Sequence, residues 1–140
     1  ALRGNLKYAF KSIHIAGSSQ SPVAVLLARL LDGQVQLTET AAGADVVLTV
    51  LTDRVERTAS ALSSSAQVRE VELRQFFEFT LQAAGSMAQA EAVPISINRF
   101  VSYNESQVTA KEAEFELLYR DMRNEAAQQV LRRLSIYKAG

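Results

Sequence analysis

Apolar residues return every three or four positions through the C-terminal part of the chain, at Phe115, Leu118, Met122, Ala126, Val130 and Leu134. That period predicts a helix with one apolar stripe, from about Thr109 to Leu134. At ~1.5 Å per residue it spans roughly 39 Å, so the layer beneath it must be comparably long. Thr109 with Glu112 three residues on fits a capping box, each side chain answering a free N–H of the first turn. The same spacing recurs at Val23, Leu26, Leu27, Leu30 and Leu31. Here Ser21 is the expected N-cap, Pro22 the first-turn residue, and Gly33 a left-handed cap at the C-terminal end.

Elsewhere the period falls to two. Leu6 to Ala16 alternates loosely and reads as a strand, and Val35 to Thr38 as a short one followed by a turn over Ala41–Ala44. A long strand from Val46 to about Ala59 is apolar on both faces as far as Leu51, then turns charged at Asp53, Arg54, Glu56 and Arg57. Ser63, Ser64 and Ser65 mark a reversal. From Gln67 to Ala83 the alternation is clean: Val71, Leu73, Phe77, Phe79, Leu81 and Ala83 on one face, mostly polar residues on the other, with Phe76 the exception. These two strands form a hairpin expected to project beyond the core. A small-residue loop leads to Pro94, which opens a last strand through Ile95, Ile97, Val101 and Tyr103, and Asn104 ends it.

The order β-α-(β)-β-β-β-α predicts an α+β two-layer sandwich. Its sheet is a mixed, mostly antiparallel four-stranded one with long strands, and two helices pack on one face. A right-handed βα crossover makes the first strand parallel to the strand after the helix, and the later hairpins are antiparallel. All 140 residues are expected to form a single domain.

Fifteen Lys and Arg balance fifteen Asp and Glu, without the basic excess that duplex nucleic-acid binding needs. No cysteine is present, so disulfides, thiolate metal sites and a cysteine nucleophile are excluded. His14 is the single histidine and reads as a structural strand residue; no metal or cofactor is expected. Glu112, Glu114 and Glu116 point in different directions on a helix and read as a solvated face rather than an acid–base pair. Gly17-Ser18-Ser19 lies between a strand and a helix but lacks the glycine spacing and the lysine of a nucleotide site. Asn104-Glu105-Ser106 matches a glycosylation tripeptide and equally a helix-entry turn; the turn is the expectation. Arg54, Arg57, Arg69, Arg74, Arg99 and Lys111 are, on spacing alone, ordinary surface charge.

The block Ala110-Lys111-Glu112-Ala113-Glu114, then Arg120-Asp121-Met122, then Ala126 through Leu134 resembles the lipopolysaccharide-assembly lipoprotein family, LptE (formerly RlpB). Leu2-Arg3-Gly4 resembles the run that follows the lipidated cysteine in that family, and the strand into Pro94-Ile95-Ser96 agrees. The resemblance implies a non-enzymatic outer-membrane lipoprotein on the periplasmic side. Such a protein sits within the LptD β-barrel and helps deliver lipopolysaccharide to the outer leaflet. The chain carries neither the signal peptide nor the cysteine, so attachment through an N-terminal lipid is expected outside the sequence given. The family's lysine falls on Lys111, expected to be an exposed contact for lipopolysaccharide. At the hairpin tip some relatives carry a basic residue; this chain has Ser63-Ser64-Ser65, with Arg57 or Arg69 as possible substitutes. Two other readings stay open: a periplasmic carrier of an amphipathic ligand without a barrel partner, and a small hydrolase built on Glu112 and Glu114.

Overall fold

Ser21, in extended backbone, accepts a hydrogen bond from the Ala24 N–H at 3.0 Å, and Pro22 takes the first helical position, so α1 runs Pro22–Leu31 as its caps predict. Gly33 follows in the left-handed region, at φ +85°. The computed structural model describes residues 6–17 and 20–137. Leu2-Arg3-Gly4 and the Ser18-Ser19 part of the first loop lie outside the described residues.

The strands are β1 (Ser12–Ala16), β2 (Gln36–Leu37), β3 (Val46–Leu62), β4 (Val68–Ala83) and β5 (Val93–Ser102), ordered β2-β1-β3-β4-β5 in one sheet. β1 is parallel to both β2 and β3, and the β3–β4 and β4–β5 pairs are antiparallel, as the crossover rule requires. The sheet therefore has five strands rather than the expected four, the fifth being the two-residue β2. β1 is also shorter than its alternation suggests. With β2 so brief, its contact before Ser12 is a single bond from the Gln36 N–H to the Lys11 carbonyl at 2.8 Å, and the Lys11 N–H is taken by the Asp45 carboxylate at 2.9 Å. Residues 6–11 run irregularly, burying Phe10 with Tyr8 against it.

The long helix, α2, runs Val108–Ile136, and its start differs from the expectation. Asn104 Oδ1 accepts from the Ser106 N–H at 3.0 Å and opens a 3₁₀ turn at Glu105–Gln107 that leads straight into α2. Thr109 and Glu112 thus fall inside the helix, and the N-cap residue Gln107 makes no capping bond with its side chain. Glu112 is free to reach elsewhere. α1 lies along β2 and β3, α2 lies along β4 and β5, and the helices touch each other on the same side of the sheet. Leu27, Leu48, Leu73, Phe77, Phe79, Phe115, Met122 and Leu134 make the fully buried centre of that layer. His14 Nδ1 bonds the Thr38 carbonyl at 2.9 Å, a structural tie between β1 and the segment after β2.

One irregularity decides what each face of the hairpin carries. Val46, Leu48 and Val50 oppose Ala83, Leu81 and Phe79, but a register shift between Val50 and Thr52 leaves Leu51 unpaired. Past this bulge the parity changes, so Asp53, Val55 and Arg57 oppose Phe77, Gln75 and Leu73 and share the helix-covered face. Arg54 and Glu56 turn to the uncovered face. β3 residues beyond Thr52 are exposed apart from Asp53, consistent with a hairpin that extends past the core.

Candidate functional site

The parity change brings Arg57 beneath the first turns of α2. Its guanidinium lies 4.3 Å from the Phe115 ring centroid and bonds both oxygens of Glu112, at 2.9 and 3.4 Å. Burial pulls the Arg57 pKa down, but hydrogen bonding to Tyr119 and Glu112 outweighs it and holds the group above its ordinary value. Phe115 also stacks nearly parallel on Tyr103, with centroids 6.3 Å apart. An arginine on an aromatic floor is thus locked in one orientation.

Lys111 lies four residues before Phe115, on the same face of α2, and its Nζ meets Glu114 Oε1 at 2.9 Å. Its side chain is only 14% exposed, so the expectation of a free helix-start lysine is corrected: the stem continues the apolar stripe and the ammonium emerges at its edge. Arg69 stands apart. Arg57 opposes Leu73, four residues from Arg69 and so roughly 13 Å along the strand. Arg69 is exposed, with Nη2 3.3 Å from Gln67 Oε1, at the last of three register shifts, between Ala61 and Leu62. The fold therefore brings Arg57 and Lys111 to one end of α2 and leaves Arg69 further toward the tip. The carboxylates Glu112 and Glu114 are each tied to one of these cations.

The uncovered face of the sheet is the other candidate surface. Arg54 stacks on Phe76 at 4.7 Å and pairs with Glu56 at 3.2 Å; Arg74 pairs with Glu72 at 3.3 Å, and Asn98 donates to Glu72. Phe76, the exception in the alternation, is half-buried under Arg54, while Phe100 is 61% exposed. No helix covers this face, and none is long and apolar enough to cross a membrane among the described residues.

With this geometry in view, the lipopolysaccharide-assembly model LptE matches residues 10–134, from before β1 to the last turn of α2. The chain belongs to the LptE family. Lipoprotein B of Nitrosomonas europaea has the same fold, with a TM-score of 0.83 at 28% identity over 96% of this chain and 89% of that one. Rare lipoprotein B of Shewanella oneidensis gives 0.77 at 27% identity, over 89% of this chain and 94% of its own. A minor lipoprotein of Acinetobacter baumannii, 22% identical over 91% and 92% of the two chains with a TM-score of 0.70, agrees in fold. No curated protein matches the chain. The LptE match covers the hairpin and α2 together, so Arg57, Arg69 and Lys111 all lie within it.

One functional group of this LptE-family chain escaped the sequence reading. Gln75 lies on the buried face between Leu73 and Phe77 and is 1% exposed. Its Nε2 donates to Asp53 Oδ1 at 2.9 Å and to the Arg54 carbonyl at 3.2 Å. Asp53 Oδ2 accepts from the Ser21 hydroxyl at 2.5 Å and from the Val23 N–H at 3.1 Å. The hairpin is pinned to the start of α1 by this network. Its signal was a lone glutamine at an inward position of a clean alternation.

Proposed function

We propose that this chain is the lipoprotein subunit of the lipopolysaccharide translocon, acting without catalysis, held at the outer membrane by an N-terminal lipid and seated within the LptD barrel. The observation that carries the reading is the uncovered sheet face. It is long, mostly polar apart from Phe76 and Phe100, and self-paired at Arg54–Glu56 and Arg74–Glu72, as a plug facing a polar lumen requires. At ~3.3 Å per residue the 17 residues of β3 span roughly 55 Å, more than the ~25 Å apolar band of an outer-membrane barrel. Membership of the family supports the same partner. Co-expression with the cognate LptD barrel tests it: a stoichiometric complex is expected, weakened by the double reversal Arg54→Glu/Arg74→Glu, and recovery of the two proteins apart refutes it.

Lipopolysaccharide binds, in this reading, where Arg57 and Lys111 flank Phe115, with Arg69 toward the tip as an outer contact. Both inner cations are held by single carboxylates, Glu112 and Glu114, whose side chains are 50% and 45% exposed, so a phosphate can reach and replace them. Lys111→Gln is the sharper variant, since a glutamate there would meet Glu114 and disturb a largely buried stem. It should weaken lipopolysaccharide binding several-fold with folding intact; unchanged binding removes Lys111 from the site. The carrier reading requires an enclosed ligand-sized space between helices and sheet; Leu27, Phe77, Phe79, Phe115 and Met122 fill the centre of that layer at 0% exposure, and the groove of about 530 Å³ between the ends of α2 and β5, lined by Val93, Ile95 and Ile136, opens to solvent at its edge.

A further inference from the structure

On the side of the helices away from the sheet, α1 and α2 enclose an open groove of about 580 Å³. One wall is the face of α1 that carries Pro22, Val25, Leu26 and Arg29; the other is the face of α2 that carries Arg120 and Arg123. These positions recur at three and four residues, so each wall is one helical face. Val25 is 51% exposed, an apolar surface left open beside the charges.

The arginines here differ from those on the sheet other than Arg69. Arg54, Arg57, Arg74 and Arg99 each pair with a glutamate. Arg29, Arg120 and Arg123 pair with nothing among the described residues, although Asp121 lines the same groove. A chain of zero formal net charge has therefore gathered three unneutralised guanidinia around one concavity with a single carboxylate. Guanidinium forks match phosphate oxygens in pairs, and several arginines lining one groove favour an anion that can be bonded at more than one oxygen. The apolar residues of the same groove, Val25 and Leu26, suit the first methylenes of an attached chain.

We infer that the α1–α2 groove binds the phosphate headgroup of an anionic amphiphile, with phosphate on Arg29, Arg120 and Arg123 and the head of its acyl chain on Val25 and Leu26. This site is separate from the junction around Phe115 and independent of barrel association. The amphiphile docks from outside, not between helices and sheet.

Dihexanoyl phosphatidic acid, titrated below its micellar concentration into the full chain and followed by backbone amide shifts, is the probe. Saturable shifts centred on Val25, Leu26 and Arg123 are expected. Dihexanoyl phosphatidylcholine, with the same acyl chains and a shielded phosphate, should bind at least about tenfold more weakly, as should inorganic phosphate, which lacks the apolar part. Arg120→Gln/Arg123→Gln should lower affinity about tenfold or more, Val25→Asp likewise, and Arg57→Gln/Lys111→Gln should leave it unchanged. Equal binding of the two lipids overturns the inference, as does inorganic phosphate matching phosphatidic acid. So does indifference to the groove substitutions, loss on changing Arg57 and Lys111, or stronger competition by an acidic peptide than by the lipid.

Discussion

Asp53→Ala is the substitution that tests the hairpin's attachment most directly. Two N–H groups at the start of α1 are satisfied by side chains: Ala24 by Ser21, and Val23 by Asp53. Removing the carboxylate leaves Ser21 its bond to Ala24 and Gln75 its bonds to the Arg54 and Phe76 carbonyls. The buried Val23 N–H is left with no side-chain acceptor, a loss of about 1–3 kcal/mol. Losing a negative charge at the α1 N-terminus adds about 0.3–1 kcal/mol, and the weakened hold on Gln75 about 1 kcal/mol more. A total near 3 kcal/mol is expected, roughly a hundredfold in the unfolding equilibrium. Urea unfolding followed by circular dichroism measures it, and the slope with denaturant should not change. Arg54→Ala, one residue away on the uncovered face, removes only exposed contacts and should cost under about 1 kcal/mol. A loss below about 1 kcal/mol for Asp53→Ala, or equal losses for the two variants, would show that the network does not anchor the hairpin.

Three further outcomes follow from particular residues. Gly17 sits at φ +70°, where a Cβ would lie 3.1 Å from the Val50 carbonyl oxygen, so Gly17→Ala should destabilise by about 1–2 kcal/mol in the same urea assay, and a neutral result would contradict the close approach. Burial raises the Tyr8 phenol above its ordinary 10.0; the folded state then holds the proton more tightly than the unfolded one, so stability is intact below about pH 10 and falls as pH rises beyond it. Tyr8→Phe should flatten that alkaline decline in unfolding curves recorded from pH 8 to 11, and an unchanged decline assigns it elsewhere. A double-mutant cycle on Arg57→Ala and Glu112→Ala should give a coupling of about 0.5–1 kcal/mol that shrinks with added salt, whereas zero coupling would mean the pair only accompanies the Phe115 contact.

Both helices were legible because their signals are local and repeated. Ser21, Pro22 and Gly33 mark α1, and six apolar positions in register mark α2. The helix-entry turn at Asn104 was legible for the same reason, its side chain bonding two residues on. The capping box at Thr109 was not, because Glu112 gains more across the chain from Arg57 than from its own backbone, and sequence spacing does not record that competitor. The extent of β1 failed differently: Leu6 to Phe10 alternate well enough for a strand, but a strand exists only where a neighbour offers bonds, and β2 is two residues long. Of the candidate site, the residue types were legible and the surroundings were not. Lys111 reads as exposed from its charge and position, yet its place four residues from Phe115 draws its stem into the helix–sheet seam.

The bulge at Leu51 connects fold to surface. Without it, strict alternation from Leu48 would send Thr52, Arg54 and Glu56 under the helices and leave Asp53 and Arg57 on the uncovered face. Gln75 and Glu112 would then lose their partners Asp53 and Arg57. With it, the residue that anchors α1 and the residue that stacks on α2 both point inward, and Arg54 joins Arg74 on the uncovered face. Gly17 packs against Val50 at the same level, where β1 ends and the far edge of β3 becomes unpaired. One extra residue, next to a glycine that permits the close approach, thus separates the charges that tie the hairpin to the helices from those displayed on the uncovered face.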